Sequence, residues 1–230
     1  MAKNTLEDVF KNQDIRKIKQ HHTPVGTAAL IYLNKPSTEY NEDGVFCIKL
    51  KLPAAAKALI KTIDAEIETA EEAVLDACET EKQRKAVTRA KPSYTFEEDD
   101  EGNETGYVLF NFKRNATRKD RDGVKKPVNI PTFDATLRPI DLEEVEIWSG
   151  SEVAIAFKLV PYYKSIGVGV SHRLEAVQVV KAVSGGAGRT AEQFGFAAVD
   201  NFPDEEETTE QEDKKHVPAE KLDTEENGDY

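Results

Sequence analysis

Cysteine, tryptophan and methionine are scarce: two, one and one among 230 residues. Cys47 and Cys78 lie far apart and in different expected elements, which excludes a disulfide framework and suits a reducing compartment. No stretch approaches 18 consecutive apolar residues, so no membrane-spanning helix is expected. The opening residues Met1 to Lys17 lack the apolar core of a signal peptide, so no export signal is expected there. The His21–His22 pair has no Cys or Glu at ligand spacing and reads as a surface pair rather than a metal site. Gly185 to Thr190, Gly-Gly-Ala-Gly-Arg-Thr, lacks the lysine of a phosphate-binding loop and leads into no clear helix, so it reads as a flexible linker. No pair of acids stands out as metal or acid–base ligands. No enzymatic activity, cofactor or metal is therefore expected.

What is abundant is charge, 32% of residues against 39% hydrophobic. The net charge of −12 is unevenly spread. Asp200 to Tyr230 holds 13 acids and three lysines, net −10, which leaves 30 acids and 28 bases, net −2, in the preceding body. A nearly neutral body can still carry a basic face if its acids cluster elsewhere.

Residues 1–22 read as a polar arm with a short helix through Leu6–Phe10. Ala28–Leu33 is an apolar run fit for a buried strand. From Gly44 to Leu52 the pattern alternates, with Phe46, Ile48, Leu50 and Leu52 on one face and Cys47, Lys49 and Lys51 on the other. Ala54 to about Arg89 reads as one helix, because Leu59, Ile63, Ile67, Ala70, Val74 and Cys78 form an apolar stripe. At 1.5 Å per residue it would reach roughly 50 Å, too long for a small barrel unless it bends or projects. An acidic loop, Glu97–Glu104, precedes a strand at Tyr107–Arg114, with Val108, Phe110 and Phe112 inward and Lys113 outward. A basic loop follows at Arg118–Lys126, then a strand at Val128–Phe133. Thr136–Ile147 shows no clear period. Glu152–Val160 alternates with Val153, Ile155, Phe157 and Leu159 inward. Pro161 to Gly167 reads as a tight connection to a long strand over Val168–Val183. Beyond Ser184 the chain turns Gly-rich, then acidic, and is expected to be disordered.

The fold class is thus mainly β with one long helix. A five-stranded OB-fold barrel at 23–184 leads and a β-sandwich is second, with a linker and acidic tail at 185–230. Lys49, Lys51, Lys113 and Lys158 lie on the polar faces of three strands and would line one groove if those strands are neighbours. Arg118, Lys119, Arg121, Lys125 and Lys126 would extend it, and such a groove tracks a phosphate backbone. Tyr32, Tyr107, Tyr162 and Tyr163 interleave with these cations, and Lys164 follows the tyrosine pair. Aromatic rings of this kind stack on bases of any sequence. In the tail, Tyr230 follows 27 residues without an aromatic. With Glu225, Glu226 and Asp229 it makes a plausible ligand for a basic pocket on a protein partner. Two other classes stay open on these residues: an acidic adaptor or DNA mimic without DNA affinity, which the outward lysines oppose, and a metal nuclease, which the missing acid and histidine constellation opposes.

The stretch Lys158-Leu-Val-Pro-Tyr-Tyr-Lys164, followed by Gly167-Val-Gly-Val-Ser171, carries a resemblance. So do the opening Met1-Ala-Lys3, the acidic tail closing Gly228-Asp-Tyr230 and the order strand, long helix, strands. Together they resemble the single-stranded DNA-binding proteins of T7-like bacteriophages. The resemblance covers most of the chain from about residue 24 and is densest over 158–183. It implies an OB fold, dimers, binding of single strands without sequence preference, and annealing of complementary strands. It also implies a role in DNA replication, recombination and repair in the cytoplasm of an infected bacterium. By position, Tyr162 resembles the family's stacking tyrosine. The tail would contact the phage polymerase and helicase–primase, although it closes on tyrosine where a member of the family ends in phenylalanine.

Overall fold

In the computed structural model, residues 6–39, 41–120 and 122–183 are described. The expected linker and acidic tail, and the expectation that they are disordered, fall on 184–230, outside the described residues.

The alternating segments form strands whose apolar faces meet in one core. Strands β1 (Gln20–His22), β2 (Gly26–Ser37) and β3 (Val45–Pro53) precede the helices α1 (Lys57–Asp76) and α2 (Glu81–Ala86). Strands β4 (Tyr94–Glu98), β5 (Glu104–Asn115), β6 (Thr117–Lys119), β7 (Lys125–Pro127), β8 (Thr132–Phe133), β9 (Glu152–Lys164) and β10 (Gly167–Lys181) follow. β2 pairs with β3, β3 with β5, and β9 with β2, all antiparallel. β5 and β10 pair in parallel, and β10 and β9 form a long antiparallel hairpin. These five strands therefore close into a hydrogen-bonded circuit. β1 adds to β9, β4 to β5 and β8 to β10, while β6 and β7 make a separate ribbon. Ile48, Leu50, Phe110, Phe112, Ile155 and Phe157, from three of the strands, are almost wholly buried inside the circuit. At about 1.5–3 kcal/mol per fully buried large apolar side chain, this face is the main source of stability.

The helical stretch departs from the expectation of one helix to Arg89. α1 ends at Asp76, so its 20 residues span about 30 Å. Thr80 then starts α2 with a capping box. Its hydroxyl accepts the Gln83 N–H at 3.2 Å, and the Gln83 amide accepts the Thr80 N–H at 3.0 Å. The Thr-x-x-Gln spacing starts a second helix after α1 has ended at Asp76. Ile63, Ile67, Ala70 and Val74 are buried as the stripe requires, and α1 packs on β9 and β10. The chain after α2 returns along α1, where Arg89 pairs with Glu71 at 2.7 Å. It then passes the β9–β10 turn, where Gly167 has φ +112° and a Cβ would stand 2.5 Å from the Thr88 carbonyl oxygen, so only glycine fits.

Other segments differ from expectation too. Pro161–Gly167 is mostly strand: β9 runs through Lys164 and Gly167 opens β10, because the hairpin register continues through Tyr163↔Val168 and Tyr162↔Gly169. The basic loop is the β6–β7 ribbon, its turn held by the Asp120 carboxylate, which accepts the Asp122 and Val124 N–H groups at 3.0 Å each. Within Val128–Phe133 only Thr132–Phe133 is strand, since Pro131 has no N–H to donate. The unperiodic Thr136–Ile147 is pinned by side chains. Asp134 accepts from Thr136 and Arg138, which holds its carboxyl near pKa 2, chiefly through the Arg138 backbone N–H. Asn34 donates to the carbonyls of Leu142 and Val145.

Candidate nucleic-acid interface

Pleating sends alternate side chains to opposite faces, and the pairing register decides which outward side chains are neighbours. On the outer face Tyr32 of β2 lies opposite Cys47 of β3, and Cys47 opposite Lys113 of β5. Lys49 lies opposite Asn111, and Lys113 opposite Arg173 of β10. Beside this row an open groove of about 780 Å³ runs between the outer face and the β6–β7 ribbon. Lys113, Arg114, Arg118, Lys119, Lys125, Lys164 and Arg173 line it, with Asp43 the one acid among its lining residues. Asn111, Asn115, Thr117, Ser93 and Ser171 add neutral donors and acceptors.

The seven cations are not equally free. Lys125 is held by Asp43 at 2.6 Å. Arg114 and Arg173 share the Glu175 carboxylate, at 3.1 and 2.8 Å. Burial pushes the Arg114 guanidinium below its ordinary pKa, and Glu175 opposes the shift. Among the described residues, Lys113, Arg118, Lys119 and Lys164 carry no ion pair. A channel of this composition, open along one side, can hold successive phosphates of a single strand.

The tyrosines separate by strand parity. Tyr162 faces outward with Lys164, whose Nζ is 5.7 Å from the ring centroid. Its ring lies over Gly169, where a Cβ would come within 2.8 Å of the hydroxyl, and burial raises its pKa. Tyr163 faces the other way and packs on the cluster of Ala70, Val74 and Val168. Its reading as a loop aromatic is corrected: it supports α1. Tyr32 is 40% exposed at the end of the outward row.

Of the residues singled out from sequence, Lys113, Lys164, Arg118, Lys119 and Lys125 come together in the groove. Lys49 is exposed beside it, one strand away. Lys126 sits on the ribbon, paired with Asp120 at 3.0 Å. Lys51 and Tyr107 lie elsewhere, in a depression with Val25 and Glu152. There Lys51 pairs with Glu97 at 2.7 Å and stands 4.3 Å over the Tyr107 ring. Lys158 is turned to the N-terminal arm, donating to the Ile15 carbonyl at 2.9 Å. Arg121 and the tail residues Glu225, Glu226, Asp229 and Tyr230 lie outside the described residues. Sequence reasoning missed Arg114, Arg173, Asn111 and Ser171. Arg173 and Ser171 could have been found by applying to β10 the outward-face alternation applied to the other strands. Among the described residues no cluster of His, Cys, Asp or Glu could hold a metal ion, and no helix is long and apolar enough to cross a membrane.

A mainly β domain with one long helix carries an open cationic groove beside the outward Tyr162. The family model of the single-stranded DNA-binding protein of bacteriophage T7 matches residues 25–182, and the chain belongs to that family. The single-stranded DNA-binding protein of Enterobacteria phage T3 is 29% identical over 218 residues, covering 86% of this chain and 94% of the T3 protein. The fold is similar to the crystal structure of the single-stranded DNA-binding protein encoded by bacteriophage T7. That match has a TM-score of 0.62 at 23% identity, covering 75% of this chain and 97% of the other.

Proposed function

We propose that this chain binds single-stranded DNA without sequence preference and without catalysis, serving phage DNA replication, recombination and repair in the cytoplasm of the infected host. The observation that carries the reading is the groove, where seven cations and one acid line a channel flanked by the outward Tyr162. The closed circuit of β2, β3, β5, β10 and β9 is read as an OB-type barrel, a fold that offers such a face to single strands. The acidic segment Asp200–Tyr230, net −10 in sequence, competes with DNA phosphates for the groove lysines. Once displaced by DNA it is free to recruit the replicative polymerase and helicase–primase, with Glu225, Glu226, Asp229 and Tyr230 as the ligand. Dimer formation is part of the same reading and is checked by light scattering.

The test is a salt titration of binding to random-sequence single strands by fluorescence anisotropy. Each phosphate neutralised contributes about −0.7 to the slope of log K against log salt, so the four unpaired groove cations give about −3. Homopolymers should differ little from random sequence, and Lys113→Ala should flatten the slope by about 0.7. Affinity independent of salt, or a preference for duplex, overturns the reading. Absence of binding favours the adaptor or DNA mimic.

A further inference from the structure

The outward positions of β10 do not keep one phase. Val168, Val170, His172 and Leu174 are buried at even numbers, whereas Val177 and Val179 are buried at odd numbers. The phase changes at a β-bulge: Leu174 pairs with Phe157 and Ala176 with Ala156, so Glu175 is the extra residue with no partner on β9. Glu175 keeps the outward phase of Ser171 and Arg173, and without a partner on β9 its carboxylate stands among the cations of β5 and β10. One oxygen of Glu175 accepts from Arg114 Nη1 at 3.1 Å and the other from Arg173 Nε at 2.8 Å. Arg114 Nη1 also donates to the Leu174 carbonyl at 3.2 Å, while Arg114 Nε is buried without a hydrogen-bond partner. Each guanidinium has five N–H donors in a rigid fork, a shape suited to carboxylate or phosphate. Both arginines line the groove, yet both spend part of that fork on one protein carboxylate.

We propose that Arg114 and Arg173 form a reserve phosphate site in the groove floor, kept occupied by the bulged Glu175, which a backbone phosphate of the bound single strand must displace. Glu175 is an internal competitor, fixed by the fold. It lowers affinity and keeps two cations from contributing fully to the salt dependence, so that strands exchange more readily than the cation count would allow. The inference rests on the proposed single-strand binding at this groove.

The test compares the full chain with Glu175→Gln, which keeps side-chain size and one carbonyl oxygen but removes the charge. The slope of log K against log salt should steepen by about 0.7 for each arginine released. Affinity at low salt should rise roughly tenfold. Glu71→Gln is the control: it removes the same charge from Glu71 of α1, which pairs with Arg89 away from the groove lining, and should leave the slope unchanged. Glu175→Asp, with a shorter side chain that cannot span both guanidinium groups, should steepen the slope by less and serves if the glutamine variant fails to fold. An unchanged or shallower slope in folded Glu175 variants overturns the proposal and leaves the triad a structural ion pair. Equal steepening in Glu71→Gln overturns it too, as an effect of overall charge. If wild type shows no salt-dependent single-strand binding, the failure belongs to the proposed function.

Discussion

His172 gives the fold a pH dependence whose sign and size follow from its surroundings. The ring is 2% exposed on β10, between Ser171 and Arg173 of the groove, and packs with Phe112 and Phe157 at centroid distances of 5.4 and 6.0 Å. Neither ring nitrogen has a hydrogen-bond partner. Burial pushes its pKa down to about 4, and the approach of the Asn111 backbone opposes this to a lesser extent without completing a hydrogen bond. In the unfolded chain the ring titrates at its ordinary value of about 6.5. Above that pH both states hold a neutral ring and stability is at its full value. As pH falls below it, the unfolded chain takes up the proton first, and stability drains by about 1.4 kcal/mol per pH unit. The loss levels off near pH 4, where the folded ring protonates too, at a total on the order of 3 kcal/mol. The assay is urea unfolding from about pH 7.5 down to about pH 4, on wild type and His172→Leu. Leucine has nearly the same volume and should itself cost under about 1.5 kcal/mol at neutral pH. Carboxylates titrate alike in both proteins, so the difference between the two profiles isolates the histidine. The wild type should lose about 2–3 kcal/mol more than the variant over that range. Parallel profiles would refute the reasoning, since they would mean the ring is solvated or partnered when folded.

Three other outcomes are expected. Tyr162→Ala should weaken single-strand binding by about 1–3 kcal/mol, while Tyr162→Phe stays near wild type, because stacking needs the ring and not the hydroxyl; anisotropy measures both, and equal losses would remove stacking as the cause. Deleting Asp200–Tyr230 should tighten binding most at low salt and abolish polymerase pull-down, and removing Tyr230 alone should weaken only the pull-down, because all 13 acids of that segment remain. Thr80→Ala should cost about 1 kcal/mol in urea unfolding by deleting the cap of α2, and a negligible change would show that the turn is held by the Arg84 and Arg89 contacts alone.

The sequence by itself determined the faces of the main elements. Alternation in β3, β5 and β9, and the stripe from Ile63 to Val74, follow from the geometry of one strand or one helix, so the buried set could be named without knowing any neighbour. The Thr80–Gln83 capping box is equally local, yet the apolar stripe masks it by predicting one helix through to Arg89. What the pattern could not say is which outward residues meet. Periodicity of two assigns Lys51, Lys113 and Lys158 to outward faces but carries no information on strand order or register. Only tertiary packing puts Lys113 beside Arg173, gives Lys51 to Glu97 of β4, and turns Lys158 to the carbonyl of Ile15 in the N-terminal arm. Tyr162 and Tyr163, adjacent in sequence, were parted by one step of the pleat once the hairpin register was fixed. Glu175 is the clearest case. Its carboxylate reaches Arg114 across 61 positions of chain, and only the parallel pairing of β5 with β10 brings the two together.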